Sequence, residues 1–93
     1  MHVGILQVKL AIRDAHSLKD KRQVIKSLKD RIRNQFNVSV AEVDAQDAHQ
    51  SAVLGMAMAG SDRRYMDGAL TQVVNFVRSC PLVELVDFSV EVL

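Results

Sequence analysis

Arg22, Lys26, Lys29 and Arg33 are spaced four, three and four residues apart. On a helix, at about 100° per residue, they fall within about 60° of arc and form a single basic ridge. Long cationic side chains on a rigid ridge can each neutralise a phosphate, and the resulting affinity is salt-dependent and largely indifferent to base sequence. Lys19 and Lys21 open the same segment, so the candidate nucleic-acid-binding set is Lys19, Lys21, Arg22, Lys26, Lys29 and Arg33. The plain structural reading is a solvated helix face, because Lys and Arg are good helix formers and keep small domains in solution. Charge is unevenly distributed along the chain. Residues 13–35 hold eight cations against three carboxylates, and residues 36–93 hold three cations against eight carboxylates. With Lys9 the two imbalances leave a net charge of +1. Such asymmetry suggests a patch facing a polyanion, or contact between two copies of the chain.

No second constellation carries chemistry. His2, His16 and His49 share no ligand spacing with each other or with a cysteine or carboxylate, so no metal site is expected. Cys80, beside Pro81 at the end of an apolar segment, reads as a small buried hydrophobe rather than a nucleophile. Arg13 and His16 lie in one loop and are the only candidates for a small-molecule or enzyme site, but no glycine-rich phosphate loop accompanies them. Glu42 and Asp44, charged residues in a short apolar segment, need a cation, solvent or a function. There is no nucleophile elbow and no pair of catalytic carboxylates. The expectation is a non-enzymatic module without a cofactor.

The elements that must position the ridge are legible from periodicity. Val3–Ile12 alternates, with Leu6, Val8, Leu10 and Ile12 on one face and Val3, Ile5, Gln7 and Lys9 on the other, which predicts a strand. Ser17 begins a capping-box pattern that has Asp20 in place of Glu. Leu18, Ile25, Leu28, Ile32 and Phe36 then recur at helical spacing, predicting a helix over Leu18–Gln35. Val38–Asp44 and Ala52–Ala59 read as strands joined by a polar loop. Asp62 is an N-cap for a second helix carrying Met66, Leu70, Val73, Val74 and Val77, which Cys80-Pro81 ends. Leu82–Leu93 closes as a strand, with Val86, Phe88, Val90 and Val92 expected to face the core.

Strand, helix, strand, strand, helix, strand is the order of a ferredoxin-like α+β two-layer sandwich, in which a four-stranded antiparallel sheet carries two helices on one face. The 93 residues fit one such domain over 1–93, and the 48% hydrophobic and 25% charged fractions are ordinary globular values. No apolar run approaches the length of a membrane span, and Met1–Gly4 does not open a signal peptide. A single cysteine excludes an internal disulfide, and the chain is expected in the cytoplasm.

The other sheet face would be open. Val3, Ile5 and, by parity in a strand of uncertain register, Leu54, Met56 and Met58 or their small neighbours are its expected apolar residues. A half-apolar face of this kind suits a homodimer. It does not suit stacked RNA bases, because the first and third strands hold no Phe, Tyr or Trp.

Two segments together carry a family resemblance. Ser17-Leu18-Lys19-Asp20-Lys21-Arg22, followed by Phe36-Asn37-Val38-Ser39-Val40-Ala41-Glu42-Val43, resembles the YlxP-like family, the domain family of unknown function numbered 503. Ala52–Ala59 and Gly60-Ser61-Asp62 fit its later portion. The resemblance implies a ferredoxin-like fold. It also implies a bacterial setting in which family genes often neighbour those of a translation initiation factor and a ribosome-binding factor, and so a role in translation or ribosome assembly. It brings no catalytic residues with it. The leading expectation is therefore an RNA- or ribosome-associated module acting through its basic helix. The rival is an assembly module whose basic helix meets acidic residues such as Glu42, Asp44, Asp47 or Glu84 on a partner or second subunit.

Overall fold

Alternating burial defines the sheet. In the computed structural model, which describes residues 1–93, β1 (His2–Ala11) sends Leu6, Val8 and Leu10 into the interior and leaves Gln7 and Lys9 exposed. It is followed by α1 (Leu18–Gln35), β2 (Ser39–Asp44), β3 (Ser51–Gly60), α2 (Arg63–Ser79) and β4 (Glu84–Val92). The strands lie in the order β2-β3-β1-β4, every neighbouring pair antiparallel. This is the ferredoxin-like sandwich expected from the element order.

Register decides which face each strand buries. Leu6 lies opposite Met56, Val8 opposite Leu54 and Leu10 opposite Ala52, while Val40 of β2 also lies opposite Met56. Directly paired residues share a face, so Leu54, Met56 and Met58 belong to the helix-covered core. This corrects their expected place on the open face, which takes Val53, Gly55, Ala57 and Ala59 instead. Val3 and Ile5 do lie there, half-buried. Both faces of β3 are uncharged, so its alternation could not say which set points inward. Only pairing with β1 does so.

The helices form where the sequence predicts. Ser17 Oγ accepts from the Asp20 amide, as the capping pattern requires, while Asp20 Oδ2 accepts from the backbone of His16, one residue before the cap. Asp62 caps α2 by accepting from the Tyr65 amide. Met66, Leu70, Val73, Val74 and Val77 are all buried, and Ile25, Leu28 and Ile32 of α1 complete the helix side of the core. Gly4 makes the close approach of α2 possible, because a Cβ there would stand 2.8 Å from Leu70 Cδ1.

β4 departs from expectation. Val92 is buried, but Phe88 and Val90 are 44% and 41% exposed, although their registers opposite Val8 and Leu6 put them on the helix side. β4 is an edge strand, and the two helices leave its outer half uncovered. A bulge between the Lys9 and Leu10 pairings leaves Val86 without a partner and 54% exposed.

Candidate nucleic-acid interface

α1 sorts its cations by angle. Arg22, Lys26 and Arg33 are exposed and Lys29 is half-buried, and Lys19 lies on the same side of the helix. Over the eleven residue steps from Arg22 to Arg33 the ridge extends about 16 Å. The chain holds three ion pairs: Arg13 with Glu84, Lys21 with Glu42, and Arg33 with Asp30. Lys19, Arg22, Lys26 and Lys29 therefore carry charge that no carboxylate of the chain neutralises at contact distance. Arg33 is committed in part. Its Nη1 is 3.4 Å from Asp30 Oδ1, and its Nη2 donates to the carbonyl of Val40 at 2.9 Å. That bond anchors the C-terminal end of the ridge to the outer strand β2.

Lys21 leaves the ridge altogether. Its side chain is fully buried, so it cannot meet a phosphate, and its place in the candidate set is corrected. About a quarter turn from Arg22, it falls in the middle of the stripe formed by Leu18, Ile25, Leu28 and Ile32. Its stem packs there, and its Nζ donates to the carbonyls of Ala45 and Ala48, both at 2.6 Å. Glu42 Oε2 lies 2.7 Å from the same nitrogen, but at an angle that makes no directed hydrogen bond, so charge alone holds that oxygen. Glu42 is thus accounted for by an ion pair within the chain.

The loop that Lys21 grips, residues 45–50, is further tied at both ends. Ala45 adopts a left-handed conformation (φ 59°), and its amide donates to Asp44 Oδ1. Gln50 donates to the carbonyls of Arg13 and Ala15. The start of α1 is in this way fastened to the β2–β3 connection, which fixes the helix and its ridge relative to the sheet. Local periodicity did not show this arrangement, because the acceptors of Lys21 lie more than twenty residues away.

The remaining candidates do not come together. Arg13 Nε donates to Glu84 Oε2 at 2.6 Å, a pair exposed on both sides. The hydrogen bond, and then the charge of Arg13, hold the Glu84 carboxyl below its ordinary range and raise Arg13 in turn. The exposed His16 has no side-chain partner in the loop, and no three His, Cys, Asp or Glu side chains cluster as metal ligands do. Cys80 is buried, its Sγ 3.4 Å from the Phe76 carbonyl. No helix is long and apolar enough to cross a membrane.

The open sheet face carries no aromatic ring. Its residues on β1, β3 and β4 include Val3, Ile5, Gln7, Lys9, Val53, Gly55, Ala57, Ala59, Asp87, Ser89 and Glu91, and Phe88 lies on the opposite face. Val43 folds over Gly55, where a Cβ would come within 2.9 Å of Val43 Cγ1. Base stacking on this face has nothing to stack against.

Fold and surface together define a ferredoxin-like α+β domain whose distinguishing feature is an outer helix with unneutralised cations. The family described as "protein of unknown function (DUF503)" matches residues 3–90, and the chain belongs to that family. Among its relatives is the uncharacterized protein YlxP of Bacillus subtilis (strain 168), 38% identical over 82 residues that make up 88% of this chain and 89% of that protein. The resemblance carried by residues 17–22 and 36–43 is thus a shared family.

Proposed function

We propose that the chain is a non-enzymatic cytoplasmic module that contacts structured RNA, on the ribosome or during its assembly, through the outward face of α1. The observation that carries this reading is the set Lys19, Arg22, Lys26 and Lys29, cations within about 80° of one helix face that no carboxylate of the chain pairs. Unneutralised charges on a rigid element are what phosphate binding by counterion release requires. An open sheet without aromatics argues against stacked single strands and in favour of phosphates displayed by folded RNA.

The test is co-sedimentation with ribosomal particles at low salt, using the wild-type chain and a variant combining Arg22→Glu, Lys26→Glu and Lys29→Glu. The wild type should sediment with the particles and the variant should stay in the supernatant. Equal sedimentation would refute the reading. A pull-down with and without nuclease separates the rival: partners that persist after nuclease and leave as salt rises indicate an acidic protein surface. Glu42 and Glu84 are already paired within the chain, so for a second copy that rival would rest mainly on Asp44 and Asp47.

A further inference from the structure

The two outer edges of the sheet are treated differently. β2 is short, holds Glu42 and Asp44, and has its Val40 carbonyl occupied by Arg33. A short strand and a covered carbonyl are devices that keep an edge from pairing. β4 carries Glu84, Asp87 and Glu91 and a bulge at Val86, but it is longer, with nine residues, no side chain donates to its carbonyls, and it exposes Val86, Phe88 and Val90 at 54%, 44% and 41%. Val3 and Leu93 exchange both of their backbone hydrogen bonds, so by antiparallel alternation Glu91, Ser89 and Asp87 turn their amides toward β1. Those of Val92, Val90 and Phe88 point to the free edge. The Phe88 amide is met there by the exposed carboxylate of its own neighbour Asp87, at 2.8 Å, a contact that a pairing strand would have to displace.

We propose that β4 pairs with β4 of a second copy, antiparallel and centred on Phe88, making a continuous eight-stranded sheet. Charge and apolar overlap together select this register. A two-fold axis at Ser89 would set Asp87 opposite Glu91 of the partner twice, and an axis at Asp87 would set Asp87 against itself. Like charges directly opposite are destabilising. An axis at Phe88 puts Phe88 against Phe88, Val86 against Val90 and Asp87 against Ser89, with no like-charge pair. An axis at Val90 also avoids a clash but leaves Val86 beyond the last paired residue. Because the pairing is isologous it closes at two chains, and the protected β2 edges become the outer rims. The interface lies at the strand edge, not on the open face, and does not depend on what α1 binds.

Sedimentation velocity and oxidative cross-linking test the proposal. The wild type should sediment at twice the 10.3 kDa chain mass at about 100 µM, where an interface with a micromolar Kd is almost fully formed. Val90→Pro removes an amide that the monomer's ladder does not use, so the variant should keep its circular dichroism and sediment as a monomer. Phe88→Cys should give a covalent dimer under mild oxidation, because hydrogen-bonded partners sit about 5.5 Å apart at Cα, within disulfide range. The wild type, whose sole thiol is the buried Cys80, should not cross-link. The cross-link decides the matter even where the proline variant does not fold. A monomeric wild type, or a dimer in which Phe88→Cys does not cross-link, overturns the proposal.

Discussion

Lys21 shows how far charge alone misleads at the scale of one residue. Its charge suggests the ridge, which is why it stands in the candidate set, but its helical angle lies between those of Ile25 and Leu28, on the core face. Burial wins because three oxygens, from Glu42, Ala45 and Ala48, replace its hydration. Lys21→Met keeps the stem but leaves the Ala45 and Ala48 carbonyls without a donor and the Glu42 carboxylate without its counter-charge. It should cost about 3–5 kcal/mol in urea denaturation, the range for breaking a buried pair; a change below about 0.5 kcal/mol, typical of surface substitutions, would contradict the assignment. Glu84 behaves differently. Arg13 lowers its pKa by a hydrogen bond and by charge, so the pair stabilises the fold at neutral pH and ceases to as pH falls through the depressed value. Both partners are exposed, so the contribution is small. Followed by NMR, the titration midpoint of Glu84 should rise toward that of an ordinary carboxylate in Arg13→Ala, and an unmoved midpoint would show that the pair does not form in solution.

Elements were legible where one face differs from the other. α1 and α2 have apolar stripes and side-chain caps at Ser17 and Asp62, and both lie within the spans that spacing predicts. β3 is apolar on both faces, and its orientation follows from a partner fifty residues away, which is why Leu54, Met56 and Met58 were misplaced. For β4 the alternation of Phe88, Val90 and Val92 was real, but the sequence does not state how far two helices extend across a sheet. The ridge on α1 was legible because it is wholly local. Its contribution can be measured by element: each phosphate contact contributes about 0.7–0.9 to the dependence of log K on log salt. Lys26→Ala should lower that slope by about one contact, whereas Lys9→Ala, on the open sheet face, should leave it unchanged. Equal effects would mean that charge acts without regard to position.

At the scale of the whole molecule, the proposed pairing through β4 would join two sandwiches into one sheet with all four helices on the same side. Strands are about 4.8 Å apart, so the outer β2 strands would stand about 34 Å from each other. Each lies beside its own α1 ridge, and a dimer would therefore present two cationic helices to one surface. Composition does not show this layout of charge, since the net charge of +1 conceals an acidic sheet edge and a basic helix at opposite sides of the fold. The proposed function rests on that helix meeting phosphates. Its most direct test is the affinity of a labelled, folded ribosomal RNA fragment across a salt series, for the wild type and for the chain carrying Arg22→Glu, Lys26→Glu and Lys29→Glu. The wild type should bind with a steep negative slope, and the variant should bind far more weakly at low salt, with a slope smaller by about two to three units. A variant that binds as tightly as the wild type with the same slope would contradict the account.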